Sequence, residues 1–305
     1  MRINWKQRER IATVASVFGW TKTNRRQIRD KIRFHNILST TPRPRLPMKK
    51  YENRISVAFC FNDNGYKQAC VSIKSLVMAS ENRCDYDIYC VVDDGVPTAH
   101  RRTVSKMTRG TKSRVIFLTA LNDFDNSYRC NWPAAVWWRL GLPKLLPDVD
   151  KVIYADIDTL FFDDLIELDR MDMGKNILGA VRDYPNGYVN SGFLVMNLKR
   201  IRTEKIYDKW LRISQIKRYK NPDQDLLNYS LRGRIVFLPL KYNFQTMLGK
   251  WIFRAHSEYE IDDLKYNLVV MHYSNWLKPW HTPDRRPIFS DHWWRVARET
   301  GLYND

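Results

Sequence analysis

Two aspartates separated by one residue, Asp156 and Asp158, have the residue type and spacing to bind a hard cation. They follow the apolar stretch 151–155, and two carboxylates at the end of a strand can reach a single ion. An Asp-x-Asp sequence taken alone is more often a solvated turn. Here apolar residues precede the pair and also follow it at 160–162, which predicts a sheet edge and a divalent metal site.

A histidine and a lysine much later in the chain have the chemistry to complete such a site. His272 follows an apolar stretch, 267–271, that is predicted to be a strand, and Lys278 comes six residues later. The imidazole can bind a metal and the ammonium a phosphate. This combination suits an ion that accepts nitrogen and oxygen ligands, such as Mn²⁺. On its own, a histidine in this position is usually structural.

The segments around these residues alternate between predicted strands and helices. Strands are predicted at 55–61, 86–92, 114–118, 151–155, 177–181, 193–197 and 235–238. Helices are predicted at 66–80, 203–215 and 224–231. This order predicts an α/β fold with a mixed, mostly parallel central sheet flanked by helices. Such sheets bind ligands beyond the carboxyl ends of their strands, where Asp156 and Asp158 lie.

Composition divides the chain into residues 1–50, 51–280 and 281–305. The first part has 14 Lys/Arg against 2 acidic residues and so carries +12 of the total charge of +18. It is predicted to hold a short basic amphipathic helix at 24–38 and a proline-rich linker at 40–47. Such an arm suits an anionic membrane surface, and a solvated basic extension is the plain alternative. The last part is rich in Trp, Pro, Arg and His, with nearly balanced Lys/Arg and Asp/Glu, and is interpreted as a closing flap or docking surface.

The cysteines and the apolar run near the start of the chain indicate the cellular compartment of the protein. The five cysteines have no metal-ligand spacing and are predicted to be reduced thiols. The apolar run 11–20 is shorter than the roughly 20 residues that a spanning helix needs, and no convincing cleavage site follows it. We therefore expect a cytoplasmic protein that is peripheral on the inner face of the cytoplasmic membrane. The oligomeric state is not indicated.

Six short motifs in a fixed order resemble those of glycosyltransferase family 8. The motifs are FCFNDNGY at 59–66, WWRL at 137–140, YADID at 154–158, NSG at 190–192, DQD at 223–225 and HYSNWLKPW at 272–280. This family comprises retaining UDP-sugar enzymes of the GT-A (Rossmann-like) fold, including bacterial lipopolysaccharide galactosyl- and glucosyltransferases and glycogenin. The resemblance implies a catalytic domain at 51–280. It also implies transfer of galactose or glucose from a UDP-sugar to a glycan, such as lipopolysaccharide core or another cell-surface glycolipid.

The resemblance assigns roles to the matched residues. It implies uracil and ribose contacts, with an aromatic ring stacked on the base, for Cys60, Asn62, Asn64 and Tyr66. It implies a Mn²⁺ site, with Mg²⁺ as the alternative, formed by Asp156, Asp158 and His272. It implies contacts with the diphosphate or the donor sugar for Arg139, Ile157, Asn190, Ser191, Gly192, Asp223, Gln224, Asn275 and Lys278. Without the resemblance, residues 190–192 are a turn leading into a strand and residues 223–225 are the N-terminus of a helix.

The sequence leaves the identity of the catalytic residue open. The resemblance implies that Gln224 lies near the anomeric carbon, and a glutamine is a poor nucleophile, which favours front-face substitution over a covalent intermediate. Asp225 or Asp183 as a covalent nucleophile is the alternative. Two positions depart from the family pattern. Asn275 stands where glycine is usual, and Asn62 stands where an acidic residue is common.

Two other functions fit parts of the composition. A charge of +18 and eleven tryptophans are compatible with a protein that binds single-stranded nucleic acid. Because most of the excess charge lies in the first 50 residues, no nucleic-acid partner is expected. A transferase-like domain without activity, acting as a scaffold, is the second alternative.

Overall fold

A computed structural model describes residues 50–128, 131–184, 186–245, 255–281 and 287–303. The predicted helix at 24–38 and the linker at 40–47 lie outside these ranges, as does Cys130. Within them, no helix combines the length and the apolar character that crossing a bilayer requires. The four described cysteines, Cys60, Cys70, Cys84 and Cys90, are free thiols.

The central sheet has seven strands in the order β3-β2-β1-β4-β7-β6-β8. These strands are β1 Arg54–Cys60, β2 Asp85–Val92, β3 Arg114–Thr119, β4 Val152–Ala155, β6 Leu178–Arg182, β7 Val189–Met196 and β8 Ile235–Leu238. Neighbouring strands are parallel except at β7, which is antiparallel to both β4 and β6. The predicted mixed, mostly parallel sheet is confirmed.

The central strands β1, β4 and β7 are buried on both faces, and their alternate side chains point to opposite sides of the sheet. In β1, Ile55, Val57 and Phe59 belong to one hydrophobic cluster, and Ala58 and Cys60 belong to the other. Helices cover both faces: α1 Tyr66–Ala79, α2 Thr98–Ser105, α3 Ala135–Trp138, α4 Leu142–Leu145, α5 Ile166–Arg170, α6 Leu198–Thr203, α7 Ile206–Ile216, α8 Pro222–Ser230, α9 Glu258–Asn267 and α10 Ser290–Glu299.

A second, three-stranded sheet was not predicted. It consists of β5 Thr159–Phe161, β9 Phe244–Gln245 and β10 Val270–His272 in the order β5-β10-β9. Strand β10 runs antiparallel to β5 and places His272 opposite Thr159. The strand predicted at 267–271 is therefore wrong in its bounds, because Asn267 ends α9 and His272 lies within β10 rather than after it.

Two other segments differ from the prediction. Residues 190–192 lie inside β7 and not in a turn before a strand. The helix predicted at 203–215 is present as α7 but begins only at Ile206, because Lys205 adopts a left-handed conformation with φ of 52° and separates α7 from α6. A non-glycine residue with positive φ cannot continue a right-handed helix.

The C-terminal helix α10 packs into the body of the protein. Trp293, Val296 and Ala297 are buried in the same hydrophobic cluster as β1 and α1. Since these side chains complete the core, the interpretation of this segment as a flap is wrong for the described residues 287–303.

Candidate active site

The Asp156 to Asp158 turn joins β4 of the large sheet to β5 of the small one, and backbone contacts hold it on several sides. The amide of Asp156 donates to the carbonyl of Gly192 in β7 (2.8 Å), and the amide of Tyr273 donates to the carbonyl of Asp158 (2.9 Å). The hydroxyl of Thr159 donates to the carbonyl of Asp156 (2.7 Å). The two carboxylates thus project from a fixed turn at the junction of the sheets.

Three potential metal ligands converge at this junction. Ligand atoms of Asp156, Asp158 and His272 all lie within 4.8 Å of one another. His272 Nε2 is 3.2 Å from Asp158 Oδ1 and 3.8 Å from Asp156 Oδ2. Asp158 Oδ1 is buried and accepts no hydrogen bond. A buried carboxylate oxygen facing an imidazole nitrogen in this way is a donor set that fits a divalent cation.

Gly192 is required where it stands because the ligands pass close to its Cα. A Cβ on this residue would lie 2.2 Å from His272 Cε1 and 2.7 Å from Asp156 Oδ2. Both distances are far below van der Waals contact, so any side chain here would push the imidazole or the carboxylate away. The glycine of the NSG motif therefore preserves the arrangement of the three ligands.

Asn243 fixes the orientation of the His272 ring. His272 Nδ1 lies 3.0 Å from Asn243 Oδ1, and Asn243 Nδ2 donates to Asn190 Oδ1 (2.9 Å). Since the Asn243 oxygen is thereby an acceptor for the imidazole, Nδ1 carries the proton and the lone pair of Nε2 faces the two aspartates. Asn243 is fully buried and was not predicted from the sequence.

Arg139 forms ion pairs with two carboxylates of the site, those of Asp156 and Asp223. Its guanidinium lies 3.0 Å from Asp156 Oδ1 and 3.2 Å from Asp223 Oδ2 and donates to the carbonyl of Ser191 (2.7 Å). It also stacks over the Tyr154 ring at 4.4 Å. Burial alone would lower the pKa of Arg139, but the two carboxylates outweigh it and raise that pKa. Burial raises the pKa of Asp223, and Arg139 opposes this rise.

Lys278 reaches the same turn from the loop after β10. Its ammonium forms an ion pair with Asp158 and donates to the carbonyl of Tyr273. Burial alone would raise the pKa of Asp158. Lys278 and the imidazole of His272 outweigh this effect, so the pKa lies below its usual range. The cationic side chain predicted for phosphate is thus held beside the candidate metal ligands.

A cavity of about 280 Å³ opens over these residues. Eleven predicted site residues line it: Arg139, Asp156, Asp158, Asp183, Asn190, Ser191, Gly192, Asp223, Gln224, His272 and Lys278. Six further lining residues were not predicted: Trp132, Val136, Tyr184, Asn221, Gln245 and Ser274. We call this cavity the active-site pocket.

Gln224 is held at both ends of its side-chain amide. Its Oε1 accepts hydrogen bonds from Asn190 Nδ2 (3.1 Å) and from the amide of Ser191 (3.0 Å). Its Nε2 donates to Asp183 Oδ2 (3.2 Å). Burial raises the pKa of Asp183 despite this hydrogen bond. The amide is therefore fixed in one orientation between β7 and Asp183.

Asp225 lies outside the active-site pocket, which corrects its prediction as a nucleophile. Its carboxylate accepts hydrogen bonds from the hydroxyl of Tyr188 and from the amide of Asn221 (2.9 Å) at the start of α8. Two residues along a helix turn a side chain by about 200°, so Asp223 and Asp225 cannot both face the pocket. Asp183 is the remaining candidate carboxylate.

The turn predicted to hold the nucleoside lies beside the metal site and does not line the pocket. Cys60 ends β1 in the core, where burial raises the pKa of its thiol. Asn62 precedes a short 3₁₀ turn in which Asn64 is exposed. Tyr66 stacks on His100 at 3.7 Å with nearly parallel rings, so a base stacked on Tyr66 would use its other face.

Two remaining predicted contacts have structural partners. Ile157 packs against the nucleoside turn, since a Cβ on Gly65 would lie 2.5 Å from Ile157 Cδ1. Asn275 is buried, and its side-chain oxygen accepts a hydrogen bond from the amide of Leu277 (2.8 Å). Asn275 thus shapes the loop that carries Lys278, where the family usually has glycine.

Comparison with known proteins identifies the class to which this fold and site belong. The chain belongs to glycosyltransferase family 8, whose model matches residues 56–283. The predicted family and its GT-A fold are confirmed. A galactosyltransferase, LgtC, solved in complex with donor and acceptor sugar analogues, superposes with a TM-score of 0.70 at 25% identity over 82% of this chain and 98% of its own.

Several relatives of the chain are lipopolysaccharide glycosyltransferases. A lipopolysaccharide 1,2-glucosyltransferase of Escherichia coli is 25% identical over 82% of this chain and 79% of its own length. A lipopolysaccharide 1,3-galactosyltransferase of Salmonella typhimurium is 26% identical over 52% of each chain. Of the tryptophans in the described ranges, Trp137, Trp210 and Trp293 are buried in the core, whereas Trp132 and Trp276 are exposed.

Proposed function

We propose that this protein transfers galactose or glucose from a UDP-sugar to a glycan acceptor, with retention of anomeric configuration. The observation that carries the proposal is the convergence of Asp156, Asp158, His272 and Lys278 on one pocket in a glycosyltransferase fold. The lipopolysaccharide enzymes among its relatives favour lipopolysaccharide core or a similar cell-surface glycolipid as the acceptor.

Asp156, Asp158 and His272 are the residues that would hold a divalent ion, Mn²⁺ or Mg²⁺. When bound, such an ion would supply Lewis-acid stabilisation of the negative charge that develops on the leaving diphosphate. Lys278 is the cationic side chain next to this position, and in the structure Asp158 holds it there. Its ammonium would share its charge with a phosphate of the nucleotide.

The fixed amide of Gln224 favours front-face substitution. In this mechanism the acceptor hydroxyl attacks the anomeric carbon from the side on which UDP leaves, and the leaving phosphate takes the hydroxyl proton. Gln224 and neighbouring carbonyls would stabilise positive charge on the sugar. Asp183 lines the same pocket and is the alternative nucleophile. Isolation of a sugar covalently bound to Asp183 would contradict the front-face mechanism.

The donor can be tested without knowing the acceptor. We expect the protein, incubated with Mn²⁺ and a panel of UDP-sugars, to release UDP by slow hydrolysis from UDP-galactose or UDP-glucose. GDP-mannose serves as the control for the nucleotide. Chelation of the metal is expected to stop the release. Equal release from every nucleotide sugar, or none from any UDP-sugar, would contradict the proposed donor.

The structure also predicts that Asn243 tunes metal binding. Replacing Asn243 with leucine removes the acceptor for His272 Nδ1, so the imidazole is no longer held toward the aspartates. We expect the affinity for Mn²⁺ to fall about 10- to 100-fold, as is typical when a residue that orients a metal ligand is lost. Isothermal titration of Mn²⁺ measures this effect. Asn243→Asp, which keeps an acceptor, should retain most of the affinity, and equal losses in both variants would rule out the orienting role.

We further propose that the protein acts at the inner face of the cytoplasmic membrane and that residues 1–40 contribute to membrane binding. Deleting them is expected to lower partition onto anionic vesicles by at least about tenfold, because many Lys and Arg residues are lost. Transfer to a soluble acceptor should not change. Sedimentation with vesicles measures the partition, and an unchanged partition would remove this role from the arm.

A further inference from the structure

The exposed side of α7 is strongly basic. Residues 205–220 contain six Lys/Arg and one acidic residue, Asp208. Together with the end of α8 and the loop after it, this side forms a shallow groove of about 510 Å³. We define the α7 face by six residues of this groove: Lys209, Arg212, Ile216, Lys217, Tyr229 and Arg232.

Large apolar side chains lie exposed among these cations. Ile216 is 80% exposed and Tyr229 is 55% exposed. The helix buries its opposite side through Tyr207 and Trp210, so Ile216 has no place in the core. A basic amphipathic helix with exposed apolar side chains among its cations has the composition of a helix that lies in a membrane interface.

The cations of the α7 face are largely uncompensated. Across the described ranges of the chain, Arg212 and Arg232 take part in no ion pair with an acidic side chain. Lys217 lies over the Tyr229 ring, 4.1 Å from its centre, and not beside a carboxylate. A surface that combines free positive charge with exposed apolar side chains complements anionic headgroups above a hydrocarbon layer.

The segment that follows α7 contacts residues near the active-site pocket. Arg218, just after α7, lies over the ring of Tyr128 at 5.2 Å. Trp132 Nε1 donates to the carbonyl of Lys220 (3.1 Å), and Trp132 also lines the active-site pocket. Residues 217–220 thus connect the α7 face to Trp132 at the active-site pocket.

We propose that the α7 face docks on a bilayer surface bearing anionic phospholipid headgroups and holds the pocket opening beside that surface. This role is separate from that of residues 1–40, because the folded domain itself carries the binding residues. The proposal deepens the proposed function. It rests on that function for one statement, that the glycan acceptor is presented at a membrane.

The test compares two charge reversals of equal size in the full-length protein. One is Arg212→Glu/Lys217→Glu/Arg232→Glu on the α7 face. The matched control is Lys106→Glu/Arg109→Glu/Lys112→Glu, at exposed positions near the start of β3. Both keep the N-terminal arm and the same net charge. Partition is measured by sedimentation with vesicles of phosphatidylcholine, alone or mixed with phosphatidylglycerol.

We expect the α7-face variant to lose at least about tenfold more partition onto phosphatidylglycerol-containing vesicles than the control variant. Ile216→Ser, which leaves the charge unchanged, should also lower partition and serves as a second variant that does not perturb the charges of the fold. Equal partition of the two triple variants would overturn the proposal. It would also be overturned if the α7-face reversal abolished oligonucleotide binding while vesicle binding stayed intact.

UDP release from the donor sugar separates this proposal from the proposed function. The α7-face variant should hydrolyse the UDP-sugar as fast as the wild type, since none of its changed residues lines the active-site pocket. If the wild type binds anionic vesicles through this face but releases no UDP, the proposed function fails and the docking surface stands.

Discussion

Replacing Asp156 or Asp158 with asparagine is expected to lower the rate of sugar transfer about a thousandfold or more. Each substitution keeps the shape of the side chain and removes one negative charge from the three-ligand cluster. Lewis-acid stabilisation of a leaving group is worth several kcal/mol, and each 1.4 kcal/mol corresponds to about a tenfold change in rate. Initial rates with the preferred UDP-sugar at saturating Mn²⁺ measure the loss, and Mn²⁺ titration measures the matching loss of affinity.

Asp150→Asn is the matched control for these two variants. Asp150 is exposed and pairs only weakly with Lys199 (3.4 Å) and Arg202 (3.5 Å), so its replacement should leave transfer unchanged. Full activity of Asp156→Asn or Asp158→Asn in chelator-treated buffer would refute the assignment of these residues. Wild-type protein that binds Mn²⁺ but shows no transfer would instead support the inactive-scaffold alternative.

The sequence allowed the prediction of those parts of the site that local patterns encode. The apolar stretch before Asp156 identified β4, and its end identified the carboxyl end of that strand, where the carboxylates lie. The motifs at 190–192 and 223–225 lead to the same pocket although they are far from Asp156 in sequence. Their order along the chain, and not their individual residue types, carried that prediction, because each motif alone is common.

The other features of the site depend on tertiary contacts that cannot be read from a local sequence pattern. Asn243 lies 29 residues before His272 and meets it only because β9 and β10 are neighbours in the small sheet. That sheet was missed because β5, β9 and β10 have only two or three residues each. Asp225 was predicted within a motif, but the helical rotation between positions 223 and 225 decides which carboxylate faces the pocket.

Replacing Arg139 with methionine is expected to destabilise the protein by about 3–5 kcal/mol. The methionine fills part of the space but leaves Asp223 buried without its cation and removes one partner of Asp156. Burial already raises the pKa of Asp223, and the loss of Arg139 would raise it further. The free energy of unfolding from urea denaturation measures the effect.

The dependence of this loss on pH tests its electrostatic origin. With a raised pKa in the folded state, Asp223 binds a proton more tightly when folded than when unfolded, so the variant loses stability as pH rises through that range. The deficit relative to wild type should therefore be smaller at acidic pH than at neutral pH. Asp223→Asn in the same chain removes the unpaired charge and should restore part of the stability.

Arg200→Met is the control for loss of an arginine as such. Arg200 forms an exposed ion pair with Glu204 one helical turn away, and pairs of this kind contribute at most about 1 kcal/mol. If Arg139→Met were no more destabilising than Arg200→Met, or if Asp223→Asn gave no rescue, Arg139 would not be the cation that compensates the buried carboxylate of Asp223. The large difference that we expect follows from burial, since water compensates the lost charge at the exposed pair of Arg200 far better than at Asp223, which is 6% exposed.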